Sequence, residues 1–265
     1  FLLVICNAVA WQRVMVVTTP KLPSFYFFNV GQGYSQLLNF GSAQILIDGG
    51  PPNGKALKNI ERALGMEDRY IDLVILTHPH LDHFGGLIDI LDRYGTGTFL
   101  TGGTRSTISA YQNLRAPDMA IGEGDRITYG DYTLSVLAPN KTEHADADPN
   151  KASVVLMLEG PDTRILYMGD AHEDNETRLR KEYKLSTDIL KIGHHGSRFS
   201  SSAAFLKELK PKVAIIEAGK NSYGHPAPAV IERLETAGAK IYATLNRGTV
   251  KIIPKNGQLK IYTEK

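Results

Sequence analysis

The stretch LTHPHLDHFGG, residues 76–86, places His78, His80, Asp82 and His83 within six consecutive positions of a chain that has eight histidines in all. Neutral imidazoles beside a carboxylate suit a borderline divalent cation such as Zn2+. Mn2+ or iron would also be served, whereas Ca2+ would ask for more oxygen. Cys6 is the only cysteine, so no thiolate cluster and no intrachain disulfide can form, and any metal site must be of the N/O type. The flanking residues indicate how the ligands would converge. An apolar run ends at Leu76 or Thr77, Pro79 prevents an immediate helix, and Gly85-Gly86 let a following helix lie close to a sheet. The four side chains then gather at the carboxyl end of a strand, the edge where open α/β sheets collect ligands.

Positioning such a turn requires sheets behind it. SFYFFNV, YSQLLNF and AQILIDGG read as three short strands joined by glycine-containing turns, an antiparallel opening. GKALKNIERALGM carries Ala56, Leu57, Ile60, Ala63 and Leu64 at helical spacing, IDLVILT is a buried strand, and a helix is expected from about His83 to Tyr94. GTFLTGG reads as a strand, STISAYQNLRA as a helix, and DRITYGDYTLSVLAP as a hairpin around Gly130. ASVVLMLEG and TRILYMGD pair around Gly160-Pro161, and HEDNETRLRKEY reads as a solvated helix without chemistry. TDILKIG, KVAIIEAG, KIYATL, GTVKIIP and QLKIYT then read as strands, with helices at SSAAFLKELK and PAPAVIERLETAG. Each half thus opens with antiparallel strands and closes with strand and helix units. The expected fold is α/β, an αββα sandwich of two mixed sheets with helices on the outer faces.

HxHxDH after an apolar strand resembles the metallo-β-lactamase superfamily, whose αββα fold agrees with that order of elements. The resemblance narrows further. FFNVGQGYSQLLNFGSAQILIDGG, LTHPHLDHFGGL, YMGDAHEDNETRL, DILKIGHHGSRFSSS and YGHPAPAVIERLETAGAKIYATLNRGTVKI together look like the soluble hydrolase domain of ComEC-like DNA-uptake proteins, over most of residues 25–253. The resemblance implies that His78 and His80 hold one cation, Asp82 and His83 a second, and Asp170 bridges both. A last ligand is His194 or His195; strand parity does not choose, and the favoured assignment makes His195 the ligand and His194 a proton donor or substrate contact. Asp48 is expected to orient the metal loop by hydrogen bonds, and His225 of YGHP to act in the site. Two departures stand out. The family's DVGQGD box here has Asn29 and Tyr34 at its acidic positions, and DADPNKASVVL supplies Asp146, Asp148 and Asn150 where many relatives place a histidine, so one metal is expected to be held less firmly. His144 reads as a surface residue beside them.

Two divalent cations, Zn2+ or Mn2+, would lower the pKa of a water held between them and neutralise charge on an attacked phosphoryl or carbonyl oxygen. Substrate choice then falls to neighbouring donors. Ser197, Arg198 and Ser200, with Asn221 and Tyr223, suit phosphate oxygens, although Ser200–Ser202 would serve equally as a helix cap. The expected activity is an extracytoplasmic phosphodiesterase or nuclease related to DNA uptake. Its substrate would be DNA or another phosphodiester, and its partner a separate membrane channel. Against it stand a phosphorylcholine esterase or lactonase acting on small molecules or cell-wall polymers, and a non-catalytic binding module that keeps the fold. A net charge of +2 permits a nucleic-acid partner without indicating one. Residues 1–20 are apolar as far as Val17 except for Asn7, Gln12 and Arg13, and open on Phe1 rather than Met. They are expected to be a signal-peptide remnant or an anchor helix and the sole membrane contact, with an element docked on the core as the alternative. Residues 21–265 are expected to form the hydrolase domain.

Overall fold

The computed structural model describes residues 22–65, 67–114, 118–140 and 149–265. The apolar segment 1–20 and the stretch carrying His144, Asp146 and Asp148 lie outside the described residues. Two mixed sheets form the protein. The first comprises β1 (Ser24–Phe27), β2 (Gln36–Asn39), β3 (Gln44–Ile47), β4 (Tyr70–Leu76), β5 (Gly95–Thr101) and β6 (Asp118–Ala120), together with β14 (Val250–Lys255) and β15 (Gln258–Thr263). Its eight strands run in the order β15-β14-β1-β2-β3-β4-β5-β6. The second has β7 (Arg126–Tyr129), β8 (Tyr132–Ala138), β9 (Val155–Glu159), β10 (Arg164–Tyr167), β11 (Ile189–Lys191), β12 (Val213–Ile216) and β13 (Lys240–Ala243). Its seven strands run from β13 at one edge to β7 at the other in unbroken descending order.

Side-chain alternation explains the stacking. In β1, Phe25 and Phe27 point to the interior shared with the other sheet while Phe28, just beyond, points outward. In β10, Ile165 and Tyr167 face that interior and Leu166 the opposite side. Strands buried on both faces need cover on the outside. The first sheet gets it from α1 (Lys55–Leu64) through Ala56 and Ile60, and from α2 (Leu81–Arg93) through Phe84, Leu87 and Ile90. The second gets it from α3 (Glu173–Glu182), α4 (Ala203–Leu209) and α5 (Pro228–Thr236) through Leu179, Phe205, Leu206, Leu209, Val230 and Leu234. The expected αββα sandwich is the fold observed. β14 returns to pair with β1, Ile252 opposite Phe25, so the chain's last strands close the sheet its first strands opened.

Parallel pairing decides where the site lies. β3 and β4 run parallel with Ile47 opposite Ile75. β10, β11 and β12 run parallel with Tyr167, Lys191 and Ile215 in line. The residues that follow β3 and β4 leave one edge of the first sheet and those that follow β10, β11 and β12 leave one edge of the second, and the two edges meet, with His83 Nε2 3.6 Å from Asp170 Oδ2.

Four elements differ from the sequence expectation. Among its described residues STISAYQNLRA forms a single 3-10 turn, Ser109–Asn113. There the Ser106 hydroxyl accepts the Ile108 N–H at 3.2 Å, a local bond that competes with helix. Helix α2 begins at Leu81, ahead of the expected His83, because His80 stays extended and its carbonyl accepts from both His83 and Phe84. KIYATL leaves the sheet after Ala243 and enters a short helix, α6 (Thr244–Arg247), where the Thr244 hydroxyl donates to the Ala218 carbonyl. The three-residue strand β6 was not anticipated. Among the described residues no helix is long and apolar enough to cross a membrane.

Candidate metal centre

The loop after β4 and the first turn of α2 are pressed against the turn after β3. A Cβ on Gly86 would fall 2.1 Å from the Gly49 carbonyl oxygen, so only glycine permits this approach. Asp48, buried in the left-handed conformation, occupies the seam. Its Oδ1 accepts the Thr77 N–H at 2.8 Å, and its Oδ2 accepts the Thr77 hydroxyl at 2.7 Å and faces His83 Nδ1 at 2.8 Å. A carboxylate that takes the Nδ1 proton leaves the opposite ring nitrogen to face the site. His83 Nε2 lies 3.6 Å from Asp170 Oδ2 and 3.9 Å from Asp82 Oδ2.

Asp170 arrives from the end of β10, its N–H held at 3.0 Å by the Ser153 hydroxyl, and its Oδ2 is also 3.6 Å from His78 Nε2. Asn150 acts one step behind, its carbonyl accepting the Ser153 N–H at 3.2 Å. His80 completes this side, with Nδ1 3.0 Å from His78 Nε2. On the other side His195 Nε2 lies 3.2 Å from Asp82 Oδ2, while its Nδ1 faces the backbone carbonyl of Glu217 at 2.9 Å. Two overlapping donor groups result, His78, His83 and Asp170, and Asp82, His83 and His195, each with its ligand atoms within 4.8 Å of one another.

The electrostatics fit a cation. Burial opposes ionisation of Asp82 and Asp170, but the imidazoles, His83 foremost, outweigh it and hold both carboxyls below the usual range. Burial likewise opposes charge on His83, yet the carboxylates of Asp48, Asp170 and Asp82 push its ring well above the ordinary value. The field that draws a proton there would draw a metal ion instead. His78, by contrast, is pushed down by burial and by His83. His83 Nε2 and Asp170 Oδ1 are buried and hydrogen-bond to no other described residue. Leaving such atoms unpaired costs about 1–3 kcal/mol each, which a cation between them would relieve. The donor set therefore fits divalent metal ions.

The remaining predicted residues form the lip of the site. His194 and His195 both adopt left-handed backbone at the turn after β11. Only His195 is buried inward; His194 is a quarter exposed, with Nε2 3.8 Å from Asp170 Oδ2. Burial lowers its ring to about 4, so it is neutral at pH 7. His225 stands 5.6 Å from the His194 ring, centroid to centroid. Ser197 is buried, and its hydroxyl accepts the Phe199 N–H at 3.4 Å. Ser200 is buried as well, and Ser202 caps α4. Arg198 is exposed, its guanidinium over the Phe199 ring. Asn221, expected to touch substrate, instead fastens its own loop: Nδ2 donates to the Gly219 and His225 carbonyls, and Oδ1 accepts from the Tyr223 and His225 N–H groups. Tyr223 projects into solvent from that loop.

The profile of the metallo-beta-lactamase superfamily matches residues 28–219. The chain belongs to that superfamily. It falls in the general class of metal-dependent hydrolases, which the donor groups above accord with. ComE operon protein 3 of Bacillus subtilis is 30% identical over 207 residues, covering 73% of this chain and 26% of that protein. Recombination protein 2 of Haemophilus influenzae is 28% identical over 229 residues, covering 84% of this chain and 28% of that protein. The chain thus spans between a quarter and a third of the length of these relatives. In fold it is similar to the metallo-beta-lactamase fold protein YhfI from Bacillus subtilis, with a TM-score of 0.59 and 14% identity over 87% of this chain and 100% of that one.

Several superfamily-site neighbours escaped the sequence reading. His172, two positions past Asp170, stacks on His194 at 4.8 Å with Nε2 2.6 Å from His194 Nδ1. Glu176, read as solvated, is buried and accepts the Ser201 and Ser202 N–H groups, tying α3 to the HHGS loop. Tyr34, where the resemblance leads one to expect an acid, lies under both rings, 4.2 Å from His195 and 4.7 Å from His83. Its hydroxyl accepts the His195 N–H and donates to the Ile192 carbonyl, so a neutral phenol clamps the left-handed turn. Beneath it Lys191 and Glu217 are fully buried. The signal for Lys191 was a lone charge in the apolar strand β11, and for Glu217 a charge directly after the apolar strand β12.

Proposed function

We propose that this chain is the catalytic domain of a metal-dependent phosphodiesterase, a nuclease acting outside the cytoplasm in DNA uptake. The observation that carries the reading is the pair of donor groups sharing His83 at the strand ends. The names of two relatives, Recombination protein 2 and Competence protein ComA of Neisseria gonorrhoeae, the latter 28% identical over 237 residues, support the DNA-uptake setting. His78 and His80 would hold one cation and Asp82, His83 and His195 the other, with Asp170 serving both and Zn2+ or Mn2+ as the ions. When bound, the pair would supply Lewis acidity toward water and toward a phosphoryl oxygen.

The chain's own groups do the rest. Asp48 and the Glu217 carbonyl each take the Nδ1 side of a ligand imidazole, fixing its tautomer and leaving Nε2 to face inward. Tyr34 excludes water from below by filling the space under both rings. His194, neutral at pH 7 and held by His172, offers its Nε2 edge at the mouth as a hydrogen-bond donor to a phosphate oxygen or leaving group. His225, lowered by burial and by His195, adds a second neutral ring there. DNA enters from a separate membrane channel, and the segment 1–20 makes the contact with the membrane. Purified protein supplied with Mn2+ or Zn2+ is expected to hydrolyse bis-p-nitrophenyl phosphate and single-stranded DNA, and Asp170→Asn to lose both activities together with bound metal. Turnover of a lactone panel without phosphodiester turnover would overturn the reading in favour of a lactonase. Metal binding with no turnover would leave a binding module.

A further inference from the structure

The floor of the site is buried, yet its lip shows aromatic rings to water. Tyr223 is 75% exposed and Phe199 55%. Neither sits on a loose loop. Asn221 ties the Tyr223 loop by four hydrogen bonds. The Phe199 carbonyl accepts the Glu173 N–H at 3.0 Å, and the carbonyls on either side, those of Arg198 and Ser200, accept from Arg233. The two loops are joined where Ala227 N–H donates to the Gly196 carbonyl and Pro226 packs so tightly that a Cβ on Gly196 would lie 2.7 Å from it. Ring follows ring along the lip. Tyr223 lies 5.9 Å from His225, His225 5.6 Å from His194, and His194 stacks on His172. Exposed Arg198 lies over Phe199, and exposed Lys220 opens the Tyr223 loop.

We propose that this lip is a stacking platform for the bases of an unpaired nucleic-acid strand, with Tyr223 and Phe199 as its anchors. The proposal rests on the phosphodiesterase reading and names its substrate class. Large rings carried on fixed loops cost less entropy to cover than rings on loose ones, which is how a preformed binding surface is built. Rings interleaved with cations match a ligand that alternates aromatic base and anionic phosphate. A duplex hides its base faces in its own stack and offers only edges and phosphates, so ring faces select unpaired bases.

The test measures affinity rather than turnover, with the metal-loaded protein and fluorescent phosphorothioate probes of equal length. The probes are an unpaired strand, the same strand with abasic sites, and its duplex. The protein is expected to bind the base-bearing strand roughly tenfold more tightly than the abasic one, the lower part of the range for one stacked base. Tyr223→Ala and Phe199→Ala should each remove most of that preference, and Tyr223→Trp should retain it. Equal affinity for base-bearing and abasic strands would overturn the proposal. So would duplex binding as tight as the unpaired strand, or a preference that survives Tyr223→Ala. Because these affinities do not depend on cleavage, a protein that shows the preference but hydrolyses no phosphodiester would sink the phosphodiesterase reading and leave the platform standing.

Discussion

The floor and the lip of this site arise from the same strand ends and are built by opposite rules. On the floor the rings of His83 and His195 are fixed from behind. His83 is held by Asp48, His195 by the Glu217 carbonyl, and Tyr34 lies beneath both. On the lip, His172, His194, His225 and Tyr223 meet mainly one another, edge or face, with solvent on the remaining side. The difference separates two tasks. Holding a cation demands buried, pre-oriented donors whose desolvation is offset by partners behind them. Recognising a long flexible substrate demands faces that it can reach. Substitutions in the floor should therefore strike all substrates alike, and those in the lip should alter preference among them.

The largest effect is expected from Asp82→Ala, with His80→Ala close behind. Asp82 is the one carboxylate that His195 Nε2 approaches within 3.2 Å, and its loss leaves that donor group with imidazoles alone. Turnover should fall to background on every substrate, and metal analysis should show less bound ion. The circular dichroism spectrum should be kept, because the ligands follow the strand ends and the apolar cluster between the sheets supplies the packing. If either variant keeps turnover on even one substrate, the floor is not shared and the division fails.

Asp48→Asn should act more mildly. An asparagine has one acceptor oxygen where the carboxylate has two, so it cannot take the Thr77 N–H, the Thr77 hydroxyl and the His83 Nδ1 proton together. Loss of such a partner behind a metal ligand typically costs 10–100-fold in metal affinity or activity. Titration with Mn2+ should show a weakened site, while the ratio of affinities for base-bearing and abasic strands stays where it was. A changed ratio would mean that the lip depends on the floor's geometry.

How much of this was legible in the residues follows the same line. The sandwich could be read because its strands are strongly alternating and its helices strongly periodic, and HPHLDH could be read because ligand spacing along one turn is a local property. His194 and His195 could not be ranked by parity, since both depart from strand geometry into left-handed backbone. Tyr34 was visible only as a departure from an acidic position. Its task, clamping His195 from 161 residues away, is a contact between two sheets that no window of sequence contains. His172 and Phe199 were missed for the same reason: the fold alone places them beside His194 and along the lip. Asn221 shows the same dependence, since an amide beside a site looks available until the fold supplies its partners, here the Gly219 and His225 carbonyls.

The smallest effect concerns the layer beneath the floor and is read in stability against pH. Burial raises the Glu217 carboxyl to about 8 from an ordinary 4.5, against the opposing pull of Lys191. Between those values the folded protein keeps a proton that the unfolded chain has released, so the stability this group contributes is full below pH 4.5 and is lost as pH rises through about 8. Glu217→Gln cannot ionise and escapes that loss. Melting temperatures of the two proteins should lie close at pH 5 and separate toward pH 8 with the variant the higher, at about 2–4 °C for each kcal/mol. Lys191, lowered by burial to about 8 from 10.5, has the opposite slope in a different window, its penalty easing only as pH climbs from 8 toward 10.5. The two contributions therefore do not cancel below neutrality. Parallel melting curves from pH 5 to 8 would show that Glu217 stays ionised in the fold. The floor itself should survive the substitution, because His195 is held by the backbone carbonyl of residue 217, while the side chain reaches Ser35 and Gln36 in the opposite sheet.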